Sequence, residues 1–218
     1  MSTTPPLLLK RDLFGTVRLE TAADGSRRVV RDTAGSRWWA RRLAGWLARR
    51  EVAALRHAAG TPAVPRVLES GHGRVVREWI EGEPMQRARP RDPRYFREAL
   101  RLVRRLHARR IAHNDLAKEP NWLVTPDGLP ALVDFQLASV ARRRGRLFRL
   151  LAHDDVRHLL KHKRSYLPER LTARQRRILA TPSLVTRAWR ATGKRLYVFV
   201  TRRLLGWRDR EGAGDRQL

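Results

Sequence analysis

The chain contains no cysteine, which excludes a disulfide framework, a thiolate nucleophile and a cysteine-ligated zinc, and agrees with a reducing compartment. No apolar run approaches the roughly 20 residues of a membrane-spanning helix. The opening Met1-Ser2-Thr3-Thr4-Pro5-Pro6 lacks a secretion-signal pattern, so a cytoplasmic protein is expected. Lysine is scarce: Lys10, Lys118, Lys161, Lys163 and Lys194 are all there are, and arginine supplies the rest of the 48 basic residues. Acids are few as well, at 21, and the formal net charge is +27. Such a balance favours polyanions, among them nucleic acid, an anionic membrane surface and phosphorylated glycolipid. An arginine excess this lopsided equally matches a GC-rich coding composition. No recognition motif accompanies the charge, so no specific nucleic-acid partner is expected. The length of 218 residues suits one domain, or two small lobes sharing a cleft; no repeat is evident and a monomer is expected.

Against that background, one segment concentrates polar chemistry: His113-Asn114-Asp115-Leu116-Ala117-Lys118-Glu119-Pro120-Asn121, followed by Asp134-Phe135-Gln136. Phosphoryl transfer from a magnesium nucleotide needs a carboxylate for the acceptor's proton, oxygen ligands for the metal and a cation near the moving group. Asp115 suits the first role, Asn121 and Asp134 the second and Lys118 the third. Mg²⁺ (Mn²⁺ would also serve) takes a few carboxylate or amide oxygens and completes its shell with phosphate oxygens. With lysine so rare, Lys118 in this segment is not casual. Leu123-Val124 and Ala131-Leu132-Val133 flank Thr125-Pro126-Asp127-Gly128-Leu129-Pro130, whose Pro-Asp-Gly marks a turn. The predicted β-hairpin sets Asn121 just before its first strand and Asp134 at the end of its second, at one end of the pair.

Elsewhere, strand-like runs over 13–20 and 27–31 flank the turn Ala23-Asp24-Gly25-Ser26. A helix is predicted after Ser36 as N-cap, with Trp39, Leu43, Trp46 and Leu47 on its apolar face, continuing to Gly60. Residues 92–110 form a second helix, with Phe96, Leu100, Val103 and Leu106 on one face. Further helices are read at 147–163, 172–180 and 183–209, the last region packing through Trp189, Tyr197, Phe199, Val200, Leu204 and Trp207.

The polar segment resembles the catalytic loop and metal-binding motif of the protein-kinase-like superfamily, whose signatures are H-R-D-L-x-x-x-N and D-F-G. Asn114 stands in place of the Arg, one extra residue separates Asp115 from Asn121, and Gln136 replaces the Gly of D-F-G. HNDLAKEPNWLV with DFQLA is similar to small bacterial kinases grouped with the RIO-like and lipopolysaccharide (Kdo/heptose) kinases. The resemblance spans most of residues 8–165. It implies an α+β, two-lobed kinase-like fold: a small β-rich N-lobe over 7–80 and a reduced helical C-lobe over 81–209, with tails at 1–6 and 210–218. It implies ATP and Mg²⁺ as cofactors and transfer of the γ-phosphoryl group to a hydroxyl. The acceptor is either a protein Ser/Thr or a lipopolysaccharide-core sugar at the inner membrane face. The alternative is a catalytically weak or inactive kinase-fold scaffold that binds an anionic partner.

The same resemblance implies roles outside the loop. Phe14-Gly15-Thr16-Val17 matches the end of a phosphate-covering loop, although Lys10 and Asp12 stand where its first two glycines belong; a plain hairpin is the other reading. Arg31 takes the place of the third-strand Lys that meets the α- and β-phosphates, and Glu51 on the following helix is its partner. Surface pairing of Glu51 with Arg49, Arg50 or Arg56 is the alternative. Residues 74–80 read as a strand entering a connection where main-chain groups near Glu78 and Ile80 would meet the adenine. Asp155, in preference to Asp154, is the acid expected to anchor the catalytic loop from below, against a solvent-facing Asp among arginines. His113 is expected to brace the loop and not to carry a proton.

Overall fold

The structure, a computed structural model, describes residues 5–181. The chain divides into two units, Met1–Leu179 and Ala180–Leu218, and nearly all the described residues belong to the first. The region read as helical over 183–209, with Trp189, Tyr197, Phe199, Val200, Leu204 and Trp207, lies outside the described residues. So do the tail at 210–218 and most of the tail at 1–6.

Five strands form an antiparallel sheet: β1 (Leu7–Asp12), β2 (Gly15–Thr21), β3 (Arg27–Asp32), β4 (Val67–Gly71) and β5 (Arg74–Glu78), in the order β1-β2-β3-β5-β4. The three inner strands are those the sequence predicts, and each carries a run of buried residues. The two edges were not legible. β1 exposes Leu7, Leu8 and Leu9, and β4 is exposed along nearly its whole length, so neither shows the alternation of a half-buried strand. β2 begins at Gly15 because Leu13 and Phe14 make the turn, with the Asp12 carboxylate accepting from the Phe14 N–H at 2.8 Å.

The first helix departs from expectation. α1 (Arg41–His57) starts after Ala40 without a side-chain cap, while Ser36 sits buried in the preceding turn. Its predicted apolar face is the outward one: Trp39, Leu43 and Trp46 are 42%, 48% and 44% exposed. The buried side is Ala44, Ala48, Glu51, Val52, Ala54 and Leu55. Small side chains let α1 approach β5 closely, as the packing of Ala48 and Val52 on Val75 records. Outside, the Arg50 guanidinium covers the Trp46 ring at 4.5 Å from its centroid, a cation–π contact that tolerates water.

The chain continues through β6 (Glu83–Pro84), α2 (Met85–Ala88), α3 (Pro93–Ala108), β7 (Ile111–Ala112), β8 (Trp122–Val124), β9 (Pro130–Leu132), β10 (Ser139–Val140), α4 (Arg146–Tyr166) and α5 (Ala173–Ala180). β6, β8 and β9 pair in one small sheet, and β7 pairs with β10. α3 follows its sequence pattern: Asp92 caps it by accepting from Arg94 N–H, Pro93 opens it, and Phe96, Val103 and Leu106 are buried. These side chains join Leu55, Tyr95, Leu102, Trp122, Leu132, Phe135 and Leu159 in the main core. Each such burial contributes about 1.5–3 kcal/mol. The described residues are therefore a mixed α+β structure, and no helix among them is long and apolar enough to cross a membrane.

Gly15 holds φ +122°, and a Cβ there would stand 2.0 Å from the Asp32 carbonyl oxygen. Gly15→Ala must push β2 away from β3, so urea denaturation should show a loss of about 2 kcal/mol or more. A loss below about 0.5 kcal/mol would mean that the β1–β2 turn relaxes freely.

Candidate functional site

The predicted hairpin is present and fixes the site. Thr125 receives Gly128 N–H on its carbonyl and gives its own N–H to Leu129, closing the turn between β8 and β9. At the open end Val133 N–H donates to the Asn121 carbonyl at 3.0 Å. Asn121 and Asp134 therefore leave the hairpin at the same end, as expected.

Asp115, Lys118 and Asn121 form one cluster. The Asn121 amide donates from Nδ2 to the Asp115 main-chain oxygen at 2.9 Å and to Asp115 Oδ2 at 3.0 Å. Lys118 Nζ lies 3.1 Å from the same Oδ2. Asn121 is buried, whereas the Lys118 side chain is largely exposed. With Nδ2 committed to Asp115, the Asn121 Oδ1 is the atom offered to a cation. Asp134 adopts a left-handed backbone, φ 62°, held by Gln136 Nε2 donating to its Oδ1 at 2.7 Å. Burial opposes ionisation of Asp134. The charges of Arg31 and Arg77, the Gln136 amide and Lys118 outweigh that and hold its carboxyl below the usual range.

Arg31 and Glu51 meet as expected: Arg31 Nε is 3.2 Å from Glu51 Oε2, and Glu51 is fully buried. The alternative surface pairs are not formed. Arg50 donates instead to the Leu137 and Ala138 carbonyls, and Arg56 to Ser70 Oγ. Sequence reasoning missed Arg77. Its Nη1 lies 3.2 Å from Glu51 Oε1, so one carboxylate bridges two guanidinium groups. The register supplies the signal: β5 pairs with β3 so that Arg77 lies opposite Val29 and Val75 opposite Arg31, which puts both arginines on one face.

The loop bearing Asp115 is anchored from α4. Asp155 accepts from His113 N–H at 2.8 Å, from Asn114 N–H at 2.9 Å, and meets His107 Nε2 at 3.1 Å. That is the role read for it, and Asp155 is buried, not solvent-facing. Two and three turns further along the same helix, His162 Nε2 reaches the Leu116 carbonyl at 2.7 Å and the Tyr166 hydroxyl donates to Glu119 at 2.8 Å. Asn114 takes a left-handed φ of 65° and donates to the Leu137 carbonyl and Ser139 Oγ, tying the loop to the segment after Asp134. His113 braces the loop, its ring meeting the Val133 carbonyl at 3.2 Å and the edge of Phe135.

The other expected residues lie further out. Val17 is buried directly opposite Arg31 in the β2–β3 register. Gly15 serves the close approach to β3 already described. Glu78 gives its N–H to the Arg66 carbonyl and pairs with the Arg66 guanidinium at 2.9 Å. Trp79 N–H donates to Arg27, whose guanidinium pairs with Glu81 and lies over the Trp79 ring; half-buried Ile80 follows in that connection. Among the described residues, Gly15, Glu78 and Ile80 make no hydrogen bond or ion pair to the Asp115 cluster. No protein-family model matches the chain, and no curated protein matches it.

Burial lowers the pKa of His113, with Asp155, Asp134 and Asp115 only partly offsetting it; burial likewise lowers His158 and His162, helped by Lys161. The unfolded chain takes up protons near the ordinary value of 6.5 that the folded chain refuses. Their contribution to stability is present above that pH and lost as pH falls below it. Thermal melts should therefore show Tm dropping from about pH 7.5 to about pH 5.5, with a shallower drop in His162→Gln. A flat wild-type profile would mean that these rings take up protons as readily in the native state as in the unfolded chain.

Proposed function

We propose that the protein is an ATP-dependent phosphotransferase of the two-lobed, protein-kinase-like kind, moving the γ-phosphoryl group of Mg·ATP to a hydroxyl. The observation that carries this is the assembly of Asp115, Lys118 and Asn121 at the end of the hairpin that delivers Asp134, with the Arg31–Glu51 pair acting on Asp134. In this reading the five-stranded sheet and α1 form the N-lobe and the segment from residue 81 the C-lobe. A cytoplasmic location, with contact at the inner membrane face for a glycolipid acceptor, belongs to the same reading.

The residues fit a magnesium ion. Asp134 is held ionised, and Asn121 presents an amide oxygen. Among the described residues no three His, Cys, Asp or Glu side chains group together as a metal site. The protein would supply two ligands and leave the rest of the shell to phosphate oxygens and water. Bound there, Mg²⁺ would neutralise charge on the β- and γ-phosphates. Asp115 orients the acceptor hydroxyl and takes its proton, while its contact with Lys118 keeps a cation beside the transferring group. Arg31, fixed by Glu51, would supply a cation to the nucleotide's phosphates.

Two acceptor classes fit, a protein Ser/Thr and a sugar hydroxyl of the lipopolysaccharide core. One observation favours a second reading, an inactive scaffold for an anionic partner. Lys10 and Asp12, 3.2 Å apart, lie in β1 beside the turn, where a glycine-rich loop would offer its amides, and Gly15 is spent on packing.

Asp115→Asn keeps the size and one acceptor oxygen but cannot take a proton. It should bind Mg·ATP in calorimetry as wild type does, since Asn121 and Asp134 remain. Its single-turnover transfer to lipopolysaccharide or to a protein mixture should fall roughly 10²-fold or more. Equal transfer by wild type and variant would remove Asp115 from the chemistry, and no transfer by wild type to either acceptor favours the scaffold.

A further inference from the structure

Three of the chain's seven tryptophans lie between residues 38 and 46, and all three are exposed, Trp38 to 83%. Leu43, Trp46 and Arg50 line one stripe of α1, and Trp39 precedes it by a turn. The opposite side of the helix, through Ala48 and Val52 on Val75, holds it to the sheet. The turn that leads into it is tied down as well. Ser36 N–H donates to the Thr33 carbonyl, Arg37 N–H to the Leu13 carbonyl and Ala40 N–H to the Arg37 carbonyl. Fixed backbone therefore presents these rings to solvent. Tryptophan is on average well buried, and an apolar patch left uncovered marks a contact surface.

Between residues 33 and 57 the sole acid is Glu51, which is buried against Arg31 and Arg77. Arg37, Arg41, Arg42 and Arg49 are exposed and make no ion pair or side-chain hydrogen bond among the described residues. Uncovered tryptophans among unpaired arginines select the occupant. A second copy of the chain would bring arginine against arginine across a two-fold contact. Nucleic acid needs open ring faces for its bases; the Arg50 guanidinium already lies over the Trp46 ring, and Leu43 offers a base nothing to stack on. A bilayer interface suits both halves of the surface. Indole rings settle at headgroup level, an aliphatic tip reaches the acyl boundary, and arginines beside them meet anionic headgroups.

We propose that the outward face of α1 and the turn before it, Trp38, Trp39, Leu43 and Trp46 with Arg42 and Arg49, dock the protein on an anionic phospholipid surface. The contact is peripheral, since no helix among the described residues is long and apolar enough to cross a membrane. It stands apart from the phosphotransferase reading, because it needs neither nucleotide, metal nor phosphate acceptor.

Flotation of the full chain with vesicles, at about 0.15 M salt and without nucleotide or metal, tests this. Wild type should bind phosphatidylcholine vesicles carrying about one-third phosphatidylglycerol at least about tenfold more tightly than phosphatidylcholine alone. Brominated acyl chains should quench its tryptophan fluorescence, which a purely electrostatic contact would not do. Trp38→Ser/Trp39→Ser leaves the charge intact and should lose about tenfold in affinity together with most of the quenching. Arg42→Gln/Arg49→Gln should lose about tenfold on the anionic vesicles, whereas Arg104→Gln/Arg105→Gln, at two exposed arginines of α3, should bind as wild type. Trp38→Ser alone carries the test if the double variant fails to fold, since so exposed a ring packs on little. Wild-type affinity and quenching in the folded tryptophan variant, or an equal loss in the α3 variant, overturns the docking face. So does a wild type that ignores the vesicles and binds oligothymidylate through the same tryptophans. None of those results touches the phosphotransferase reading, and a wild type that binds vesicles but transfers no phosphate sinks that reading alone.

Discussion

Asp155 accepts two consecutive main-chain N–H groups, His113 and Asn114, while its side chain also meets His107. Those contacts join α3, α4 and the loop between them at a single buried carboxylate. The loop depends on it for a physical reason. Asn114 sits at φ 65°, a conformation that costs a non-glycine residue of order 1 kcal/mol, and it persists only where neighbours over-determine it. The carboxylate below and the Leu137 and Ser139 acceptors beside it provide that. Everything downstream inherits the fixed geometry. With Asn114 held, Asp115 is aimed at the Asn121 amide and Lys118, and His113 is pressed against Phe135 beside Asp134.

The second constraint is electrostatic and acts on Asp134. Glu51, Arg31 and Arg77 share an interior position where any one of them alone would be prohibitively charged. Removing one arginine leaves a paired carboxylate, whereas removing Glu51 leaves two like charges facing each other out of water. The carboxylate is thus the member the local structure can least lose. This also accounts for α1. A helix that must deliver a glutamate inward, between small alanines, has no room there for its tryptophans, and they end on the outside.

What the sequence made legible follows from how local each cause is. The β8–β9 hairpin, the cap and face of α3, and the positions of Asn121 and Asp134 depend on turn chemistry and short-range periodicity, and they read correctly. The Arg31–Glu51 pair and the anchoring by Asp155 came through the resemblance, not through pattern. The edge strands β1 and β4 were invisible because their residues are solvent-facing on most positions, and the apolar face of α1 was misassigned because hydrophobicity outranked size. Arg77 was missed for another reason. An arginine in a strand reads as surface until the register is known, and only the pairing of β3 with β5 turns it to the side of Glu51.

The arginine bias itself gains meaning at this point. Lysine presents a compact charge that one glutamate oxygen satisfies, so a lysine at position 31 would close the account with Glu51 and need no second cation. A guanidinium at that position meets one oxygen of Glu51 through Nε, and a second guanidinium from the neighbouring strand takes the other. The arrangement is shared between strands, and its charge is fixed at any pH at which the protein stays folded. On the phosphotransferase reading, the substitution at residue 31 and the arginine at residue 77 are then one device and not two departures.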